Sequence, residues 1–305
     1  MTDPNDPRTQ PGVAFDHTDP GLRPFIEVEA KIAVEIIDEE RAAGSPARAI
    51  VAAVADGATQ DAEVGARTMS DQLPSTRRLL PVCQEGCSYC CHQVVFASAP
   101  EILRIADHLK STRTPEQLAE LRARAGETAA RVRDLDLLER AEAQVPCPLL
   151  DTTTGRCGVY PVRPVACRAY HSGDVDTCRK AFDRKDAYPV IPINPALFHV
   201  AHAYGFGMMT GCEARGLDPG PYDLTVALPA ALDEDLSEAW LRGDRVLPAT
   251  AVSQAVRAGY EQTLGDLSAD LAAGRLEAAA KVAARVDPDA QRRARNKKKR
   301  ERKGR

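Results

Sequence analysis

The sequence predicts a mainly α-helical fold, in which helices pack around an irregular cysteine-rich core with little β structure. Outside the cysteine region, Ala-rich segments carry apolar residues three and four positions apart, which is the pattern of amphipathic helices. Residues 146–192, by contrast, are rich in proline and cysteine and have no regular period. Aromatic residues make up only 5% of the chain, so aliphatic side chains must fill most of the core.

Periodicity and capping residues place the individual elements. The apolar pattern predicts helices at 25–43 and 45–73. Two capping boxes, Ser98-Ala-Pro-Glu101 and Thr114-Pro-Glu-Gln117, each predict the start of a helix, and the second helix is expected to continue to Ala143. The remaining expected elements are a short strand at 94–98 and helices at 194–216, 223–242 and 250–285.

Eight of the nine cysteines form two groups that indicate metal binding. The groups are Cys83, Cys87, Cys90 and Cys91, and then Cys147, Cys157, Cys167 and Cys178. In a reducing compartment, such clusters serve metals or catalysis rather than disulfides. Four thiolates complete a tetrahedral zinc site or a [4Fe–4S] cluster, so eight permit two closed centres, or one centre with spare ligands. The isolated Cys212 is expected to be a small buried hydrophobe.

Four polar residues close to the cysteines are candidates for a supporting layer around the metal. Arg163 and Arg168 flank Cys167, where guanidinium groups would offset thiolate charge and donate hydrogen bonds to sulfur. The alternative is that both are solvated arginines in a Pro-rich loop. His92 and His171 could replace a ligand or relay a proton, and a structural role for each stays equally open.

The spacing of Cys83, Cys87 and Cys90 also matches the cluster motif of radical S-adenosylmethionine enzymes. Such an enzyme needs a barrel of buried parallel strands after the motif, and these strands read as continuous Val, Ile and Leu runs. The chain downstream of Cys90 has almost no such runs, and it contains no Gly-Gly pair for binding the methionine moiety. The sequence therefore argues against this class of enzyme.

A more specific resemblance comes from the combination of C-x3-C-x2-C-C at 83–91, CPLL at 147–150 and GRCGVYPVRPVACRAY at 155–170. This combination resembles the YkgJ family of cysteine-cluster proteins, which carry a CxxCxxCC domain described as zinc- or iron-chelating. The family's second half runs C-P-x-L and then C-x-x-Y-x-x-R-P-x-x-C-R, and this chain follows it from Cys147 to Arg168. One extra residue between Cys83 and Cys87 departs from the nominal spacing and keeps the ligand count. The resemblance covers residues 81–180 and implies a protein that binds zinc or iron, the latter as an ion or an iron–sulfur cluster.

Two alternative functions follow from the same residues. The domain also resembles part of the flagellin lysine N-methylases, which implies a cluster-dependent protein-modifying enzyme. However, GFGMMTG at 205–211 lies inside a predicted helix, where close helix packing is the expected role rather than cofactor binding. The other alternative is an adaptor in which zinc only stabilises the fold and the C-terminal tail binds RNA or DNA. No catalytic residue is assigned from the sequence.

The last fifteen residues form a basic tail on an otherwise acidic chain. They contain ten Lys or Arg and a single Glu, although the whole chain has a formal net charge of −4. Such a tail could bind nucleic acid, a ribosome or an acidic protein through counterion release, and a solubilising role is the alternative. The candidate nucleic-acid-binding residues are Arg292, Arg293, Arg295, Lys297, Lys298, Lys299 and Arg300.

These observations divide the chain into five segments. They are a disordered N-terminal segment at 1–24, a helical region at 25–80, a cysteine-cluster metal-binding domain at 81–215, C-terminal helices at 216–286 and a basic disordered tail at 287–305. No apolar run approaches the roughly 20 residues that span a bilayer, and the N terminus lacks the pattern of a secretory signal. We therefore expect a cytoplasmic protein without a membrane partner.

Overall fold

The computed structural model describes residues 15–75 and 78–275. In this part of the chain, eleven α-helices and four two-residue strands confirm the mainly α prediction. The helices are α1 (Arg23–Ala42), α2 (Ala47–Asp71), α3 (Ala99–Thr112), α4 (Pro115–Val132), α5 (Leu137–Ala143), α6 (Val165–Ala169), α7 (Val175–Asp183), α8 (Ala201–Ala214), α9 (Leu224–Asp233), α10 (Ser237–Leu241) and α11 (Ala251–Ala272). The strands are β1 (Phe96–Ala97), β2 (Leu150–Asp151), β3 (Arg156–Cys157) and β4 (Tyr222–Asp223).

Both predicted capping boxes are present, at the starts of α3 and α4. The expectation of one helix from Thr114 to Ala143 is wrong, because α4 ends at Val132 and α5 begins at Leu137. The break lies at Asp136, whose side chain accepts the backbone N–H of Glu139 and forms a third capping box. An Asp side chain that caps a new helix competes with continuation of the preceding helix. Here the cap at Asp136 prevails over the apolar periodicity that favours one continuous helix.

Helix α8 is the centre of the fold and is packed by α1, α2 and α11. Gly207 and Gly211 allow α1 to approach α8 closely. A Cβ atom on Gly207 would lie 2.5 Å from the carbonyl oxygen of Ile26, and one on Gly211 would lie 2.7 Å from that of Ala30. The GFGMMTG sequence therefore serves close helix packing, as the sequence predicts.

A large cluster of buried apolar side chains joins the helices on either side of the cysteine region. Ile50 of α2, Ile102 of α3 and Leu228 of α9 belong to this cluster. Strand β1 pairs antiparallel with β4, with Phe96 opposite Asp223, and so connects the start of α3 to the start of α9. The cysteine region is thus anchored to helices from both ends of the chain.

Four of the five predicted segments lie wholly or partly outside the described residues, and the expected continuation of the last helix over 276–285 is outside them as well. The first fourteen residues of the N-terminal segment and the whole basic tail also lie outside them. Phe15 and His17, which the structure does describe, contact the side chain of Phe206 on α8. Within the described residues, every helix is too short or too polar to cross a lipid bilayer.

Candidate metal centre

The eight clustered cysteines are carried by short elements and loops between the main helices. Cys83 and Cys87 lie in the loop that precedes a 3-10 turn at Tyr89–His92, and this turn contains Cys90 and Cys91. Cys147 and Cys157 lie before and within the small hairpin of β2 and β3. Cys167 lies in α6 and Cys178 in α7.

Close contact between two glycine turns brings the two cysteine groups together. Gly86 lies between Cys83 and Cys87, and Gly155 lies in the turn of the β2–β3 hairpin. Both have positive φ angles, +94° and +70°, which glycine adopts without strain. A Cβ atom on Gly155 would lie 2.4 Å from the carbonyl oxygen of Gly86, so any larger residue at Gly155 would push the two turns apart.

Seven of the eight cysteines line one cavity of about 1250 Å³. These are Cys83, Cys87, Cys90, Cys91, Cys147, Cys157 and Cys167. A direct backbone hydrogen bond also joins the two groups, because the N–H of Cys147 donates to the carbonyl oxygen of Cys91 at 2.8 Å. Residues more than fifty positions apart in sequence therefore reach one site.

Cys178 lies with the first group, although it belongs to the second group in sequence. The backbone N–H of Ser172 donates to Sγ of Cys83 at 3.2 Å, and a hydrogen bond with Ser172 also acts on the thiol of Cys178. Burial raises the pKa of Cys178, and negative charge on Cys83 and Cys90 raises it further. Helix α7, which carries Cys178, also packs against the Tyr89–His92 turn of the first group, where the centre of the Phe182 ring lies 4.8 Å from that of the His92 ring.

Burial and repulsion between neighbouring thiolates raise the pKa of the thiols, so their ionisation is unfavourable without a bound cation. Burial raises the pKa of Cys147 to about 12. Burial likewise raises the pKa of Cys167 well above its ordinary value, with further contributions from Cys147 and Cys90. The pKa of Cys90 is also well above its ordinary value, first because of a hydrogen bond with the thiol of Cys91 and then because of burial. Negative charge on Cys90 also contributes to the raised pKa of Cys87 and of Cys167, so Cys90 acts electrostatically on thiols of both groups.

Arg163 and Arg168 both line the cavity but have different surroundings. The Nε atom of Arg163 is buried without a hydrogen-bond partner in the described chain, and its guanidinium carbon lies 3.8 Å from the centre of the Tyr160 ring. Arg168 is already engaged, since it pairs with Glu63 and donates to the carbonyl oxygens of Arg163 and Pro161. Arg163 thus has a free donor for a thiolate or sulfide, whereas Arg168 holds the loop in place.

The two histidines near the cluster make contacts of their own. Nδ1 of His171 lies 2.7 Å from the carbonyl oxygen of Ala169, and its Nε2 accepts the backbone N–H of Asn194 at 3.0 Å. Both ring nitrogens of His171 are therefore occupied by the protein. The His92 ring packs edge-on against Phe182, with Nδ1 at 3.2 Å from the carbonyl oxygen of Ser88.

Glu101 supports the site in a way that the sequence reasoning missed. Its capping-box role is visible in the sequence, but its second carboxylate oxygen also accepts the backbone N–H of Val165, the first residue of α6. No sequence signal marks this contact, because Glu101 and Val165 lie 64 positions apart.

The donor set fits a soft metal, although the thiols do not yet form a coordination sphere. Among residues 15–75 and 78–275, no three His, Cys, Asp or Glu side chains are arranged to hold a metal ion. The residues present nevertheless suit zinc or an iron–sulfur cluster, since seven thiols line one cavity and the buried Nε of Arg163 lacks an acceptor among the described residues. A bound cation would also favour thiolates over the thiols that burial now favours.

Comparison with known proteins agrees with this donor set. Residues 82–186 match the family model CxxCxxCC, which is described as "Putative zinc- or iron-chelating domain". The matched segment contains all eight clustered cysteines and about a third of the chain. No curated protein and no solved structure was found to be similar to this chain.

Proposed function

We propose, on the premise that residues 82–186 belong to the CxxCxxCC family of cysteine-cluster domains, that this chain is a metal-binding protein of the YkgJ type. It holds zinc or an iron–sulfur cluster through its two groups of cysteines. The convergence of seven thiols on one cavity supports this function most directly. Cysteines that serve only packing would have no reason to converge from two separate segments on the same space.

In this proposal the ligands are the eight clustered cysteines, and Arg163 donates a hydrogen bond to one of their sulfur atoms. Zinc would supply a structural crosslink between the two groups, and an iron–sulfur cluster would in addition supply electron transfer. The protein's own residues prepare the site in both cases. Ser172 donates to Sγ of Cys83, and Glu101 holds the helix that carries Cys167.

Metal analysis of protein purified without oxygen tests the proposal. We expect stoichiometric zinc, or iron with acid-labile sulfide and a broad absorption band near about 400 nm. Cys167→Ser should lower the metal content, because Cys167 lines the cavity. Cys212→Ser is the matched control, because Cys212 is fully buried in a different cluster with apolar neighbours.

Two results would contradict the proposal. One is wild-type protein that contains neither zinc nor iron after oxygen-free purification and that takes up neither metal when it is supplied. The other is equal metal content in the wild-type protein and in Cys167→Ser, when both proteins are folded as judged by circular dichroism.

A further inference from the structure

The cavity that contains the thiols extends well beyond them. Its far wall is formed by side chains of α8 and α11, by the turn that precedes α8 and by the segment that precedes α1. We call this wall the aromatic end, and it consists of Phe15, Phe198, His202, Phe206, Met209 and Tyr260. A volume of about 1250 Å³ is larger than that of most small-molecule pockets and exceeds the needs of a metal centre alone.

Aromatic side chains are concentrated at this end. The chain has only six phenylalanines, and three of them line the cavity here, so the concentration reflects more than composition. Phe206 and Tyr260 pack edge-on, with 5.2 Å between centroids and 89° between planes, whereas the Phe15 and His202 rings are stacked. Phe198 and Phe206 are buried, so the half-buried rings of Phe15, His202 and Tyr260 are the ones that keep accessible surface for a flat ligand.

His202 supplies a hydrogen-bond acceptor at this end. Its Nδ1 lies 2.9 Å from the carbonyl oxygen of Phe198, which can only accept, so Nδ1 carries the proton. Burial lowers the pKa of His202 to about 4, and the ring is neutral at pH 7. Nε2 is then a bare acceptor, and it has no hydrogen-bond partner within the described part of the chain.

The Tyr260 hydroxyl is a second polar group that has no hydrogen-bond partner among residues 15–75 and 78–275. The described residues provide it with ring contacts from His17 and Phe206 but no hydrogen bond. A hydroxyl can donate and accept, so it can pair with a ring nitrogen or an N–H group of a ligand. An aliphatic ligand would leave both the hydroxyl and Nε2 of His202 unpaired, which is unfavourable in an enclosed site.

We propose that the aromatic end binds a neutral planar heterocycle, which donates a hydrogen bond to Nε2 of His202 and forms another with the Tyr260 hydroxyl. The heterocycle lies in the same cavity as the cysteine cluster and projects its substituents toward the thiols. The six residues of the aromatic end lie outside the matched segment 82–186, so none of them is among the proposed metal ligands.

Two small probes that differ in a single donor test the proposal. The probes are 9-methyladenine, which has an exocyclic N–H₂ group beside a ring nitrogen, and 9-methylpurine, which lacks this group. We measure the dissociation constants of both for the full-length protein by ligand-detected saturation-transfer NMR. We expect 9-methyladenine to bind more tightly by about two- to tenfold, the contribution of one hydrogen bond.

Two variants assign the hydrogen bonds to residues. In His202→Phe the ring shape is kept and the acceptor is lost, so the two probes should bind equally. Tyr260→Phe should weaken 9-methyladenine binding by about two- to tenfold. Tyr89→Phe is the matched control with unchanged binding, because the Tyr89 ring packs against Phe182 outside the cavity.

The same titrations of metal-free protein separate this proposal from the proposed metal function. Binding that persists after metal removal supports the site, whatever the metal content of the purified protein. Three results would each overturn the proposal. The first is no binding of 9-methyladenine at 10 mM or so, a level that detects fragment affinities. The others are equal affinity of the wild type for both probes and unchanged affinity of Tyr260→Phe for 9-methyladenine.

Discussion

The carboxylate of Glu101 accepts a 2.7 Å hydrogen bond from the backbone N–H of Val165 and thereby joins the start of α3 to the start of α6. Its other oxygen accepts the backbone N–H and the hydroxyl of Ser98, at 2.8 and 2.7 Å. One buried side chain thus caps two helices, and the second of these carries Cys167. The position of this cysteine depends on a residue of the helical core.

Glu101→Gln should destabilise the fold and reduce metal retention. One end of the amide becomes an N–H donor, which opposes the backbone N–H group of either Ser98 or Val165. We expect a loss of about 1–3 kcal/mol in the free energy of unfolding, measured by urea denaturation. Glu139→Gln is a matched control at the same capping position in α5, with solvent access and no second contact, and should change stability by less than about 0.5 kcal/mol. Equal effects of the two variants would contradict the double role of Glu101.

Cys83 and Cys178 should behave as members of one centre. Each single replacement by serine should lower the metal content, and the double variant Cys83→Ser/Cys178→Ser should lose no more than the more affected single variant. The physical reason is that Cys83 accepts a hydrogen bond from Ser172 and that α7, which carries Cys178, packs against the Tyr89–His92 turn of the same cysteine group. Metal analysis of the three variants measures this directly. Additive losses would indicate that the two cysteines serve separate centres.

Metal affinity should increase with pH, with release of protons on binding. Burial raises the pKa of Cys147 to about 12 and that of Cys167 well above its ordinary value, so both are protonated thiols at neutral pH in the metal-free protein. Protons compete with the metal for sulfur, and this competition weakens as pH rises. Calorimetric zinc titrations at pH 6.5 to 8.5 or so, in buffers of different ionisation enthalpy, count the released protons. An affinity that stays constant over this interval would contradict thiolate ligation.

Glu29→Gln should stabilise the protein, and the gain should grow with pH. Glu29 is fully buried on α1, and neither carboxylate oxygen has hydrogen-bond geometry with a described partner. Burial and then the nearby Asp61 carboxylate raise its pKa well above the usual 4.5. The contribution of Glu29 to stability is therefore fully present below its unfolded-state pKa and is lost as pH rises toward its folded-state pKa.

Urea denaturation of the wild type and of Glu29→Gln at pH 5 and at pH 8 measures this effect. The difference in unfolding free energy between the two proteins should widen by up to about 1.4 kcal/mol for each pH unit over which Glu29 stays protonated only in the folded state. Glu35→Gln, at an exposed position of the same helix, should show no such widening. A difference that is the same at both pH values would show that Glu29 is not held in the neutral form.

Local sequence signals were sufficient for much of the helical framework. Ser98–Glu101 and Thr114–Gln117 mark helix starts because a cap is a contact between residues three positions apart. Asp136 shows the limit of this reasoning, since its capping box lies within a segment whose apolar period continues across it. The periodicity alone could not reveal which of the two signals would prevail.

The sequence by itself determined that this chain is mainly helical and that eight of its cysteines lie in a segment similar to a zinc- or iron-chelating domain family, because both conclusions depend on residue types at short spacings. Only the tertiary structure decided that seven of the cysteines line one cavity, that Glu101 supports the helix of Cys167 and that aromatic side chains line the same cavity as the thiols. These are contacts between residues far apart along the chain, and they depend on how α8 and its neighbours pack. Short-range patterns carry no information about such distances, since packing of the whole core sets them.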